Sequence, residues 1–338
     1  MSRPTLAFAV TMHRSGSSVT MNVLQALGAS LGPYPLNGAS TGNKYGHFES
    51  MPLLMLDREV LFAAHGYRDE ELFQSPELMS RFRQSQGDWA SPDLSEEWLR
   101  KGSHLISRLA ESGDVVAFKD PRVPLIWPFW KTLLEELTGV RVVLLFLVRA
   151  PHAIAMSIYS RSGGEIPYDA ALDATEGHLR QMIRIRDAWQ GESALVRFQG
   201  EEYFVDLQSA ATLCGLDWSD EIARQVVDPK ERHQRAAYID HPAQRLFEEL
   251  AGQSSRPDEQ ENQRILQQDA IKREAVLRRT MHDWRAKAGA LSEELNQLSS
   301  SLNCSNSAEI ASTLAALREE IRSLRACLES ERGASYGS

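Results

Sequence analysis

LAFAVTMHRSGSSVTMNVLQALGASL, residues 6–31, sets three kinds of local structure end to end. Leu6 to Val10 is an apolar run of the length expected for a buried parallel strand. His13-Arg14-Ser15-Gly16-Ser17-Ser18 is a polar turn of small residues. Val19, Val23, Leu24 and Leu27 then recur at three- and four-residue spacing, the inner face of a helix, and Gly28 and Gly32 punctuate its end. Strand, turn and helix together make an anion cradle. The first helical N–H groups lack intrahelical partners, and the helix dipole adds positive potential there. Gly16 permits close backbone approach, Ser17 and Ser18 offer hydroxyls, and Arg14 adds a fixed charge. With one glycine and no lysine, the turn departs from the loop of Mg-nucleotide hydrolases, and GxGxxG is absent too. The expectation is a site for phosphate or sulfate; an ordinary polar turn is the alternative from these residues alone.

The 338 residues suffice for one sizeable α/β domain and an appendage, and 42% apolar content with seven tryptophans fits a packed core. A net charge of −9 argues against a general nucleic-acid or membrane-surface binder, while leaving room for a local basic pocket. Cys214, Cys304 and Cys327 are scattered and odd in number, with neither a disulfide framework nor metal-ligand spacing. The apolar core of the N-terminus is shorter than the roughly seven residues of a signal peptide, and no run approaches the roughly 18 of a membrane span. The expectation is a soluble, cytoplasmic protein without a metal.

Working outward, Gly32 to Gly46 reads as a loop ending in Gly46-His47-Phe48-Glu49-Ser50, and Pro52 to Gly66 as a helix with Leu53, Leu56, Val60 and Leu61 on one face. Residues 67–92 carry turn signals and no clear pattern. Asp93 or Ser95 caps a helix reaching about Ser112. Val115–Phe118 is a second buried strand running into Lys119-Asp120-Pro121-Arg122, where Pro121 and Pro124 stop it. Leu125 to Thr138 reads as one aromatic-rich helix, and Val140 to Val148 as the central strand. Pro151 opens a helix through Ser157 and Arg161. Helix Tyr168–Gln190, strand Leu195–Phe198 and helix Phe204–Cys214 follow. This alternation indicates a P-loop-like, doubly wound parallel sheet flanked by helices. In such sheets ligands bind beyond the carboxyl ends of the strands, where residues 13–18, 119–122 and 149 all fall. Arg149, at a strand end, and Ser157, almost two turns into the next helix, are placed to grip one phosphate from two sides.

Arg14-Ser15-Gly16-Ser17-Ser18 resembles the 5′-phosphosulfate loop of sulfotransferases that use 3′-phosphoadenosine 5′-phosphosulfate (PAPS). The segment from Arg149-Ala150-Pro151 to Ser157 resembles their 3′-phosphate motif, with Arg161 as an added cation, and Val196-Arg197-Phe198 with the helix to Cys214 resembles a later family segment. With Lys119-Asp120-Pro121-Arg122 between them, these motifs look like a bacterial branch acting on carbohydrate or other small hydroxylated acceptors, over about residues 5–220. The resemblance implies sulfuryl transfer from PAPS to a hydroxyl of a carbohydrate or glycolipid-type acceptor, leaving adenosine 3′,5′-bisphosphate. Arg14 and the N–H groups of Gly16, Ser17 and Ser18 then hold the 5′-phosphosulfate, with His13 and Ser15 part of the same loop. His13 packs or hydrogen-bonds within it. Lys119 reaches the sulfuryl group, and Arg149 and Ser157 take the 3′-phosphate. Glu49, beside His47-Phe48, is the first choice of base, because related carbohydrate enzymes place a glutamate there. Asp120 is the second choice, or else it orients Lys119 or Arg122. The histidine base of animal cytosolic enzymes has no counterpart after Lys119, and the family's late Arg-Lys-Gly loop is missing; Lys230–Arg235 is a solvated charge run or a cover for the 3′-phosphate.

From about Pro242 the composition shifts to Glu, Gln, Arg, Ala and Leu. Leu277, Met281, Trp284, Ala288, Leu291, Leu295, Leu298 and Leu302 follow a heptad rhythm, and Ile310 to Leu328 repeat it after a break with Asn306 and Glu309 as a capping box. The expected division is an α/β domain over 1–240, a helix and polar linker over 241–262, and coiled-coil helices over 263–332. The coiled coil forms either an intrachain hairpin or a stalk for self-association or docking to a partner enzyme. Two other functions stay open: a nucleotide kinase or NTPase with a degenerate P-loop, and a non-catalytic coiled-coil scaffold.

Overall fold

Seven consecutive buried residues, Thr5–Thr11, form strand β1. A computed structural model of the chain describes residues 3–39, 46–72, 75–85, 95–227, 236–252 and 257–301. β1 pairs in parallel with β2 (Val115–Lys119) on one side and β3 (Arg141–Val148) on the other; β4 (Glu192–Arg197) pairs with β3. Among the described residues the sheet order is β2-β1-β3-β4.

The period-two alternation of β1 splits the core in two. Leu6, Phe8 and Val10 face one side with Phe118, Leu144 and Phe146; Ala7 and Ala9 face the other with Val143, Leu145 and Val196. Helices α1 (Ser17–Ala26), α9 (Glu202–Cys214) and α10 (Asp220–Val226) cover the alanine side through Met21, Leu24, Tyr203, Leu207 and Ala223. The other side is covered by α2 (Met51–His65), α5 (Glu96–Ala110), α6 (Trp127–Glu136), α7 (Pro151–Arg161) and α8 (Tyr168–Ala188). Its centre is an aromatic triangle: Phe8 and Phe118 stand 5.1 Å apart, with Trp130 5.0 Å from Phe8 and 5.1 Å from Phe118. Short helices α3 (Asp69–Leu72) and α4 (Pro76–Ser85) lie between α2 and α5 in the chain.

The crossover from β1 to β2 starts with α1 on one face, and the crossover from β3 to β4 runs through α7 and α8 on the other. The chain therefore leaves the adjacent strands β1 and β3 in opposite directions, which opens a crevice between their carboxyl ends.

Two boundaries differ from the sequence expectation. The helix expected over Leu125–Thr138 is a 3₁₀ turn, Val123–Ile126, followed by α6 from Trp127. Pro128 lacks an N–H, which costs nothing in the first turn of α6 and would break a helix running through it. Strand β4 starts at Glu192 rather than Leu195, where the Arg141 guanidinium grips Glu192 through Nε and Nη2 at 2.5 Å and holds the polar end in register.

The chain forms two compact units, one of residues 1–162 and 166–268, the other of 163–165 and 269–338. The first includes α11 (Pro242–Ala251), whose Ala243, Phe247 and Leu250 are buried in the same core as α8, although the sequence expectation set 241–262 apart. Tyr238 is tied there by Asn262, which accepts its N–H at 2.7 Å and donates to its carbonyl at 3.1 Å. Helix α12 (Glu259–Ser301) begins in the first unit and supplies the described helix of the second. In that second unit, heptad positions Leu277, Met281, Trp284, Ala288 and Leu291 are half-buried while Arg278, Arg279, His282 and Asp283 are exposed. Leu302 and the second heptad set, with the capping box, lie outside the described residues, so the coiled coil stays a proposal. Among the described residues no helix is long and apolar enough to cross a membrane.

Candidate active site at the strand ends

β1 ends in a turn built around Gly16, which sits at the start of α1 with φ +87°. A Cβ there would fall 2.3 Å from the Phe198 ring, so both the backbone angle and the space require glycine. Arg14 also adopts positive φ, +66°, without that excuse, and such local strain is tolerated where the surrounding structure fixes it. Buried Ser15 turns inward: its hydroxyl donates to Met12 O at 2.8 Å and meets Thr11 Oγ1, so it shapes the turn. Ser18 donates to the His47 carbonyl at 3.3 Å, joining the cradle to the loop that carries Glu49. Ser17 is buried at the first turn of α1.

Across the crevice, Arg149 directly follows β3 and α7 brings Ser157 to the same place. Arg14 Nε donates to Ser157 Oγ at 2.8 Å, and Arg149 Nη1 donates to the Arg14 carbonyl at 3.0 Å. The Arg149 guanidinium also stands 5.5 Å from the centre of the Phe198 ring, close enough for cation–π attraction. Arg161, one turn beyond Ser157 on α7, is exposed, and its charge bears on both Arg14 and His47. Burial works against the charge of Arg14, and Arg161 adds to that, so both lower its pKa from the ordinary arginine value. Two arginines brought this close define a place that favours an anion.

The end of β2 is built differently. Lys119 and Glu49, both buried, form an ion pair of 2.7 Å, and Asn37 Nδ2 donates to the other Glu49 oxygen at 3.0 Å. Burial alone raises the Glu49 pKa; the Lys119 charge and hydrogen bond outweigh it and hold the carboxyl at about 2. Burial draws the Lys119 pKa down, with Glu49 opposing. Phe48, between His47 and Glu49, has φ +57°, a second strained non-glycine residue at the site. His13 bears electrostatically on Glu49 and on His47. Burial is the largest influence on the half-buried His47 and lowers its pKa, with Glu49 opposing.

Asp120 is paired to a different cation. Its Oδ1 accepts from the Arg122 backbone N–H and from Arg122 Nη1, both at 2.9 Å, and Nη1 lies 3.1 Å from Oδ2. These bonds tie Asp120 to Arg122, while Glu49 is the carboxylate paired with the lysine. Burial raises the Asp120 pKa, with the Arg122 charge and hydrogen bonds opposing and the Glu49 charge adding to the rise.

No family model and no curated protein matches the sequence. Solved structures similar to it include two sulfotransferase domains. One is the sulfotransferase domain of the Synechococcus PCC 7002 olefin synthase, 18% identical, with 81% of this chain and 94% of that one covered at a TM-score of 0.38. The other is the sulfotransferase domain from the curacin biosynthetic pathway, 13% identical, covering 79% and 98%, also at 0.38. At those scores the likeness identifies nothing about the site, whose chemistry has to come from its own side chains.

Sequence reasoning missed Asn37, the second partner of Glu49, and Asp57, which is fully buried on α2 beside Asp120. The one signal for Asp57 was a carboxyl on the stripe of Leu53, Leu56, Val60 and Leu61. Sequence spacing also gave no metal set, yet ligand atoms of Asp173, Glu176 and His241 come within 4.8 Å of one another. Asp173 already pairs with Arg83 at 2.6 Å and Glu176 with Arg180 at 2.8 Å, so the cluster has its charge answered by arginines. Residues 230–235 lie outside the described residues.

Proposed function

We propose that the protein is a sulfotransferase that moves a sulfuryl group from PAPS to a hydroxyl of a small acceptor of carbohydrate or glycolipid type. The observation that carries the reading is the junction of Arg14, Ser157 and Arg149 across the crevice between β1 and β3. It sets cations from two strand ends within reach of one nucleotide charged at both ends, with the first-turn N–H groups of α1 beside them. In this reading Arg14 and the backbone of Gly16, Ser17 and Ser18 hold the 5′-phosphosulfate, while Arg149, Ser157 and Arg161 take the 3′-phosphate.

The transfer is an in-line displacement at sulfur. The acceptor oxygen bonds to sulfur as its proton passes to Glu49, and the bond from sulfur to the phosphate oxygen breaks. Charge then grows on the departing phosphate, where Arg14 and the loop N–H groups stabilise it. One such preorganised donor is worth roughly 10²–10³ in rate. Glu49 held at about 2 is a weak base while Lys119 grips it. In the proposed cycle Lys119 shifts its ammonium to the sulfuryl oxygens, and Glu49 recovers basicity when the donor is in place. A positioned base contributes roughly 10²–10⁴ in rate.

Calorimetric titration with adenosine 3′,5′-bisphosphate, ADP and ATP tests the donor. Tight binding of the bisphosphate alone is the expected result; preference for Mg-ATP would replace the reading with a nucleotide kinase, and binding of none with a scaffold.

A further inference from the structure

Asp57 lies on the inner stripe of α2 with no accessible surface. Neither of its oxygens meets a hydrogen-bond donor in good geometry, and Trp130 Nε1 beside it meets no acceptor in good geometry. From the turn after β2, Asp120 and Arg122 bear on it, and from α6 the Trp130 indole. The 3₁₀ turn packed on α2 carries the apolar residues Val123–Ile126, and Lys101 of α5 reaches Glu59 on the exposed side of α2.

An ionised Asp57 would be a fully buried carboxylate next to a second carboxylate, with the Trp130 indole N–H beside it but out of good hydrogen-bond geometry. It would also be the third carboxylate, with Glu49 and Asp120, in a buried group whose cations are Lys119 and Arg122. Lys119 is paired to Glu49, and Arg122 gives its backbone N–H and Nη1 to Asp120. An isolated buried charge of this kind is avoided by taking up a proton. The neutral acid is a donor rather than an orphaned acceptor, and three carboxyls holding one proton among them carry two negative charges, which balance the two cations.

We propose that Asp57 is a positioning residue: as a carboxylic acid it donates a hydrogen bond to Asp120 and so fixes the turn that carries Lys119. Lys119 and Asp120 are consecutive, so the α2 segment grips the dipeptide twice, through Glu49 just before the helix and through Asp57 within it. Burial, then the charge of Asp120, push Asp57 well above the usual carboxylate range, with Arg122 opposing. The shared proton belongs to the pair rather than to either residue. The part of this inference that concerns catalysis rests on the proposed sulfuryl transfer.

The test is thermal unfolding of the full chain between pH 4 and 9, for wild type, Asp57→Asn and Asp57→Ala. A carboxyl whose pKa is raised on folding stabilises at low pH and loses that contribution as pH climbs through its folded value. Wild type should therefore lose several degrees of Tm with rising pH relative to Asp57→Asn, which keeps a neutral donor of the same shape. At pH 8 Asp57→Asn should be at least as stable as wild type. An Asp57→Asn variant that melts several degrees below wild type at pH 8, with no alkaline loss in wild type, would show an ionised Asp57 and overturn the proposal. Adenosine 3′,5′-bisphosphate is the second probe at pH 7. Asp57→Asn should bind within about threefold of wild type, and Asp57→Ala roughly tenfold more weakly. Equal binding by wild type, Asn and Ala would remove the positioning role. Should wild type bind no bisphosphate, the donor assignment and the positioning role fall together, and the Tm series still decides whether Asp57 holds a proton.

Discussion

The two halves of the site handle charge in opposite ways. Where β1 and β3 end, Arg14, Arg149 and Arg161 are gathered around a crevice, and a hydroxyl and a carbonyl hold the first two in place. Where β2 ends, every cation is matched to a carboxylate: Lys119 to Glu49 and Arg122 to Asp120. In the proposed function the first half receives an anion from outside. The second is balanced on its own and has to be unbalanced before it can act. The proposed function assigns binding and proton transfer to different strand ends, so the two should separate under mutation.

The sharpest test of that separation is Glu49→Gln. Conversion of PAPS to adenosine 3′,5′-bisphosphate should fall by roughly 10²–10⁴, with bisphosphate affinity by calorimetry unchanged. If both fall together, the two halves are one unit and the comparison breaks.

The same variant has a second signature, in stability. Glu49 is held at about 2 in the fold against an ordinary 4.5, so it stabilises above that ordinary value and the contribution is lost as pH falls toward 2. That acid limb amounts to roughly 3 kcal/mol and should be absent from the unfolding profile of Glu49→Gln.

On the anion side, Gly16→Ala forces a methyl into Phe198 at a positive φ and should cost roughly 2–3 kcal/mol in chemical denaturation. Arg149→Ala should weaken adenosine 3′,5′-bisphosphate by roughly 10–100-fold and leave the acid limb intact. The smallest effect is expected of Ser157→Ala, which deprives Arg14 Nε of its acceptor and should weaken the bisphosphate about threefold. Loss of Glu49-dependent turnover in Ser157→Ala beyond that factor would blur the division.

Much of the frame was legible because it is written in local pattern. The apolar run in β1, the small-residue turn and the helix face of α1 are short-range features, and so are Pro151 at the start of α7 and Gly16 in the turn. The misread boundaries, α6 and the start of β4, are where a local rule lost to a neighbour: Pro128 marked a helix start inside an aromatic run, and Arg141 holds a polar strand end in the sheet. The heptads were equally plain in the chain, and the described half of the first one keeps its seam half-buried.

The site's partnerships were not written that way. Arg14 lies 143 residues before Ser157, and Lys119 70 residues after Glu49, so only the parallel pairing of β1 with β2 and β3 brings them together. Choosing Glu49 rather than Asp120 as the lysine's partner needed the fold, because Asp120 is nearer in sequence yet turned to Arg122. Asp57 needed it most. From the chain alone, an aspartate among leucines is a breach in a helix face; with Asp120 and Arg122 around it, it becomes an acid with something to donate to. By itself, then, the sequence determined which chemical groups are present and that strand ends carry them. Tertiary structure decided which charges meet, since Coulomb and desolvation energies depend on distances and burial that chain order does not set.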